Sequence, residues 1–140
     1  MVIKNISKDN LCMFSYNTRG FGVEKQMHCK YLLENTASDQ IPILCNQEHF
    51  LMKANCRNIT NALPGFHAII KPAIKGDYVC GRAKGGLFIA FPDSLKNKII
   101  DVSPDNWRIQ AVILKCENES LMIINSYFPT DERQLYDCKN

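Results

Sequence analysis

A chain of 140 residues with 46% hydrophobic and 22% charged side chains has the composition of one folded domain, which argues against a disordered segment. Its net charge of +3, from 17 basic and 14 acidic residues, is too small to imply nucleic acid without a localised basic patch. No apolar run approaches the roughly 20 residues of a membrane span, and Met1 to Asn5 lack the apolar core of a signal peptide. The seven cysteines are odd in number and form no C-x-x-C pair, so a zinc site or a disulfide framework is not expected. Reduced thiols inside a cell, in cytoplasm or nucleus, are the expectation. Sequons at Asn5, Asn58 and Asn118 carry no weight without a secretion signal.

Leu11 to Tyr16 reads as a short, largely buried strand. It runs into Asn17-Thr18-Arg19-Gly20-Phe21-Gly22, whose glycines and asparagine signal a loop. Val23 to about Thr36 is predicted helical, with Val23, Met27 and Tyr31 on an apolar face that Leu32 and Leu33 widen. Ser38 to Gln40 connects to a second strand, Ile41 to Cys45. Strand, helix and strand in this order suggest a βαβ-like unit, which favours ligand sites at strand C-terminal ends. Asn17 and Glu48 both lie just past such an end.

A second helix is expected from Phe50 to Ala62, stopped by Leu63-Pro64-Gly65. Phe66 to Lys71 reads as a strand, Pro72 to Lys84 as a loop that turns basic, and Gly85 to Phe91 as another strand. From there the pattern is all strand. Ile99 to Val102 is short, and Trp107 to Cys116 alternates with Trp107, Ile109, Ala111 and Ile113 on one face. After the polar turn Glu117-Asn118-Glu119, Leu121 to Phe128 returns as its hairpin partner. Leu121-Met122-Ile123-Ile124 is apolar on both faces, so that strand is expected to be covered on both sides. Residues after Pro129-Thr130-Asp131 resemble the start of a polar helix. The sum is an α/β or α+β layered domain with at least six strands.

Three strand ends carry polar side chains beside glycine or proline: Asn17, Glu48 and Tyr127. A carboxylate with an amide oxygen and waters is an adequate seat for Mg²⁺, which keeps several waters and takes few protein ligands. Such a metal neutralises a phosphate and stabilises a leaving oxygen, and a phenol can donate to a phosphate oxygen whose charge grows in the transition state. Each residue also has a plainer reading. Glu48 could be a loop carboxylate, Asn17 a turn former before glycine, and Tyr127 an interface tyrosine with a satisfied hydroxyl. Arg19, Lys75, Arg82 and Lys84 could line a DNA backbone or be solvated loop cations. His49 reads as a loop neighbour rather than a ligand, and Cys45 as a small buried apolar residue.

Four stretches occur in an order that resembles the endonuclease/exonuclease/phosphatase superfamily: Ser15-Tyr16-Asn17-Thr18-Arg19-Gly20, Cys45-Asn46-Gln47-Glu48-His49, Gly81 to Ile89, and Ile124-Asn125-Ser126-Tyr127-Phe128-Pro129-Thr130-Asp131. The flanks of Glu48 and Tyr127 are similar to the endonuclease domain of non-LTR (LINE-type) retrotransposons. The resemblance implies a four-layer α/β/β/α sandwich, of which residues 1–140 form the N-terminal part of a single domain truncated at its C-terminus. It implies Mg²⁺- or Mn²⁺-dependent DNA cleavage by an activated water. Glu48 and Asn17 are the metal-site residues it implies, with Tyr127 on the scissile phosphate. In transposon enzymes the nick primes reverse transcription.

The family's Gly-Asp-x-Asn motif and its later Asp-His pair have no counterpart here, since His28, His49 and His67 all lie early and none follows Asp. The chain is therefore expected to be an incomplete, inactive nuclease fragment. Two other readings stand beside it. One is a non-catalytic remnant that binds nucleic acid or self-associates through an uncovered inner face of Leu121 to Phe128. The other is a phosphatase-type member acting on a small phosphorylated substrate.

Overall fold

Six largely apolar stretches of six or seven residues and one of three fold into two sheets that pack face to face. The computed structural model describes residues 5–76 and 82–128. In chain order the elements are β1 (Leu11–Asn17), α1 (Val23–Glu34), β2 (Ile41–Gln47), α2 (Arg57–Ala62), β3 (Phe66–Lys71), β4 (Leu87–Pro92), β5 (Ile99–Asp101), β6 (Ile109–Lys115) and β7 (Ser120–Ser126). One sheet has the order β1-β2-β4-β3 and the other β5-β6-β7. β1 and β2 are parallel, as a βαβ unit requires, so Asn17 and Gln47 finish side by side. The other pairings are antiparallel.

Between the sheets lies one apolar layer, with Ile43, Cys45, Ile89 and Phe91 facing Val112, Leu114 and Ile123. A second layer packs Cys29 and Leu33 of α1 and Ile59 of α2 onto Leu44, Phe88 and Ala90. The result is a mixed α/β sandwich with its helices on the outer face of the four-stranded sheet. Among the described residues nothing covers the outer face of the other sheet.

Four expectations change. The face of α1 bearing Val23, Met27 and Tyr31 points to solvent, and these residues are 65–72% exposed. Apolar residues are scattered around this helix, and the sheet takes the face holding Cys29 and Leu33. The helix expected from Phe50 is shorter. Phe50 has a left-handed φ of 61° and donates its N–H to the Gly85 carbonyl, while the Leu51 carbonyl accepts from Ala73. These cross-chain bonds take the groups a helix would use, so a 3-10 turn at Lys53–Asn55 precedes the short α2. In β6 the face turned to the other sheet carries Gln110, Val112 and Leu114, not the alternating set that includes Ile109 and Ile113.

The fourth change concerns β7, which is covered on one side only. Its inner face, expected to be partly uncovered, is buried at Ile123 and Asn125, whereas Met122 and Ile124 on the outer face are 60% exposed. Ile100, Ile113 and Met122 stand in register across the three strands, so the exposed outer face is continuous. The polar segment after Asp131 and residues 77–81 of the basic loop lie outside the described residues.

The inter-sheet layer turns polar near the C-terminal ends of β1 and β2. Asn125 is buried there, and its Nδ2 donates to the carbonyls of Asn46 (2.8 Å) and Phe88 (3.1 Å) and to Gln110 Oε1 (3.3 Å). Its Oδ1 accepts from Gln47 Nε2 at 2.8 Å. Gln110 in turn donates to the Ile69 carbonyl at 2.7 Å. One amide thus joins β7 to β2, β4 and β6. Nearby, the Lys71 ammonium donates to the carbonyls of Pro104, Asn106 and Ile109 at 2.6–2.8 Å, tying the loop before β6 to the end of β3.

Replacing Asn125 with leucine leaves several buried groups short of a partner. Asn125→Leu is expected to lower unfolding stability by about 2–4 kcal/mol, read from urea midpoints.

Candidate active site

Two loops interlock where β1 and β2 end. Thr18 N–H donates to the Gln47 carbonyl at 3.1 Å, and Gly20 N–H donates to the Glu48 carbonyl at 2.7 Å. Asn17 Oδ1 accepts from Arg19 N–H at 3.2 Å, a local turn that short polar side chains favour. Asn46, buried in β2, donates to the Thr18 hydroxyl at 2.8 Å. Both loops pass through left-handed backbone, with φ of 46° at Arg19 and 59° at Glu48.

The parallel register brings the Asn17 and Glu48 side chains together, and Asn17 Nδ2 donates to Glu48 Oε1 at 2.8 Å. Glu48 is half-buried, and Asn17 is exposed. One carboxylate oxygen is thereby oriented by an amide, and among the described residues the other takes no hydrogen bond. Among the described residues no cluster of three or more His, Cys, Asp or Glu forms a fuller metal cage. A carboxylate and an amide fit a cation that keeps most of its waters, which is the habit of Mg²⁺ rather than Zn²⁺.

Tyr127 comes from the other sheet, two residues beyond Asn125. Its N–H donates to the Arg108 carbonyl at 2.9 Å, and its ring lies 6.2 Å from that of Trp107. The Asn125–Gln47 hydrogen bond therefore joins the strand leading to Tyr127 to the strand leading to Glu48. Trp107 packs against Gly85, where a Cβ would come within 2.6 Å of the indole. The Arg108 guanidinium sits 4.4 Å and the Lys84 ammonium 5.6 Å from the Trp107 ring centroid. Arg82 lies 5.2 Å from the Phe50 ring. Cations held against aromatic faces keep their positions better than solvated ones.

Of the four expected basic residues, Arg82 and Lys84 join this aromatic rim. Lys75 is exposed beside the Ile74–Lys84 bridge, and Arg19 is exposed in the loop locked to Glu48. Sequence reasoning passed over Asn125, Gln47, Trp107 and Arg108. A signal was present for the first two: each belongs to the polar cluster that ends an apolar strand.

His49 is fully buried, not merely a loop neighbour. Burial pulls its pKa down from the ordinary 6.5 to about 4, against a smaller upward pull from backbone hydrogen bonds with Lys71 and Leu87. Burial pushes the Cys29 and Cys45 thiols up to about 12 and about 11, as inert core thiols should be. The described cysteines, Cys12, Cys29, Cys45, Cys56 and Cys116, are all free thiols.

This architecture is similar to that of a nuclease. The AP endonuclease LMAP from Leishmania major matches with a TM-score of 0.59 at 12% identity, over 90% of this chain. The chain spans 43% of the length of that enzyme. The likeness is one of fold. No family model and no curated protein matches the sequence. Among the described residues, no helix is long and apolar enough to cross a membrane.

The buried imidazole gives the fold a pH dependence of known sign. Between pH 6.5 and about 4 the unfolded chain binds a proton at His49 that the folded chain refuses. Its contribution is complete above pH 6.5 and is lost as pH falls through that window, amounting to about 3 kcal/mol. Urea midpoints at pH 7 and pH 4.5 are expected to diverge more for the native chain than for His49→Asn.

Proposed function

We propose that this chain is the metal- and phosphate-binding part of a nuclease that acts on DNA phosphodiesters with Mg²⁺ or Mn²⁺. The observation that carries the reading is the Asn17–Glu48 hydrogen bond at adjacent parallel strand ends, beside a rim of cations held on aromatic rings. Glu48 would hold the cation, its carboxylate oriented by Asn17. The cation, when bound, neutralises phosphate charge and stabilises the leaving oxygen. Asn17 orients the carboxylate, and the Tyr127 hydroxyl donates to a phosphate oxygen. Arg19, Lys75, Arg82 and Lys84 contact the flanking backbone, where each neutralised phosphate releases counterions. The transposon-like flanks of Glu48 and Tyr127 favour DNA nicking of the kind that primes reverse transcription.

The 140 residues supply this binding half without the groups that finish the chemistry. The Asp, Asn and Asp-His motifs of the superfamily have no counterpart in the sequence, and each is a type of group whose loss costs on the order of 10²–10⁴ in rate. The chain alone is therefore expected to bind DNA without nicking it. Supercoiled plasmid with Mg²⁺ tests this: robust nicking that Glu48→Ala abolishes overturns the inactivity. In a salt titration of DNA binding, Arg82→Ala and Lys84→Ala should each reduce the slope by about one counterion. A slope unchanged in both removes the rim from the interface.

A second reading is self-association, favoured by the exposed line Ile100, Ile113 and Met122 with Ile124 beside it. Sedimentation is expected to show concentration-dependent dimers, and a stable monomer at high concentration counts against it.

A further inference from the structure

We propose that His49 is a positioning residue for Glu48: its imidazole sets the backbone reversal that aims the carboxylate at Asn17. The proposal rests on reading Glu48 as the ligand of a divalent cation. Glu48 and Phe50 have φ of 59° and 61°, so two non-glycine residues flanking His49 sit in left-handed backbone. Each such residue costs about 1 kcal/mol or more and persists only where its surroundings over-determine it. No glycine relieves this turn. Something must hold it.

The holding group is the His49 ring. Leu51 N–H donates to Nδ1 at 2.9 Å, which leaves the proton on Nε2, and Nε2 donates to the Lys71 carbonyl at 3.1 Å. The ring stacks on Phe88, with centroids 6.2 Å apart and planes 27° apart. Gly86 closes the remaining side, since a Cβ there would stand 2.5–2.8 Å from three ring atoms. The backbone follows the ring: His49 N–H donates to the Gly86 carbonyl at 3.4 Å and Phe50 N–H to the Gly85 carbonyl at 3.0 Å.

With residues 49 and 50 pinned to β4 and its leading glycines, the chain must reverse at Glu48. That reversal offers the Glu48 carbonyl to Gly20 N–H at 2.7 Å and the carboxylate to Asn17 at 2.8 Å. The bond that sets the turn is Leu51 N–H to Nδ1, a contact to a backbone amide two residues ahead. Asparagine can reproduce it, because its Oδ1 stands at nearly the same distance from Cβ. Glutamine can reach the Lys71 carbonyl but places no acceptor at that point.

The test compares His49→Asn with His49→Gln in the full chain, using Mn²⁺ as the probe. Paramagnetic broadening of the Asn17, Gly20 and Glu48 amides reports the cation, and hydrogen exchange at Gly20 N–H reports the turn. His49→Asn is expected to keep both near the native level. His49→Gln should lose Gly20 protection, keep protection at Ile43 and Ile89, and bind Mn²⁺ about tenfold more weakly. Native protection and native Mn²⁺ affinity in His49→Gln overturn the proposal. Equal losses in both variants also overturn it, since the bulk of the ring alone would then be what matters. If the native chain shows no broadening, or broadening that Glu48→Gln leaves unchanged, the cation reading fails. Gly20 exchange still decides the positioning role in that case.

Discussion

The amide of Asn125 lies where the two sheets meet beneath the strand ends, bonded to β2, β4 and β6 at once. A polar group between apolar sheets is costly unless its donors and acceptors are met. When they are met, the network allows one alignment and penalises its neighbours. A slip of β7 by one residue would bring Ile124 or Ser126 to this point and strand the carbonyls of Asn46 and Phe88. The Asn125–Gln47 bond ties the strand that leads to Tyr127 to the strand that leads to Glu48.

Lys71 supports the site from the other direction. Its carbonyl receives His49, and its ammonium gathers the carbonyls of Pro104 and Asn106 in the loop before β6 and of Ile109 at the start of that strand. The last residue of β3 therefore anchors both the turn at Glu48 and the aromatic rim beside it. The ammonium is partly desolvated, which lowers its pKa, while Asp101 and Asp105 oppose that shift. Gly85 and Gly86 complete the junction by lying flat against Trp107 and His49. The site's loops carry left-handed residues, yet they stand on regular, well-packed strands.

A fold likeness at 12% identity carries architecture, and function has to be argued from side chains. Here one carboxylate and one amide meet at 2.8 Å, and Arg82, Lys84 and Arg108 lie on the aromatic faces of Phe50 and Trp107. It is on those side chains that the proposed binding of a cation and a phosphate backbone rests. The outer face of the three-stranded sheet stands apart from it, apolar and exposed at Met122 and Ile124.

Much of this was legible in the residues themselves. Strand positions followed from short apolar runs, and β3 matches its expected bounds from Phe66 to Lys71. The βαβ reading placed Asn17 and Glu48 at neighbouring strand ends, because a parallel pair must finish on the same side. Periodicity failed where apolar residues covered more than one face. In α1 it rightly included Leu33 but centred the face on the exposed Val23, Met27 and Tyr31 and left out Cys29, and in β7 it called for two covered faces where one is open. The helix expected from Phe50 failed because Gly85 and Ala73, distant in sequence, claim its backbone groups. Local pattern thus determined which segments are strands and which strand ends lie side by side. Only tertiary structure decided which faces are buried and how His49, Gly86 and Asn125 hold the site, since hydrogen bonds across dozens of residues leave no mark on local spacing.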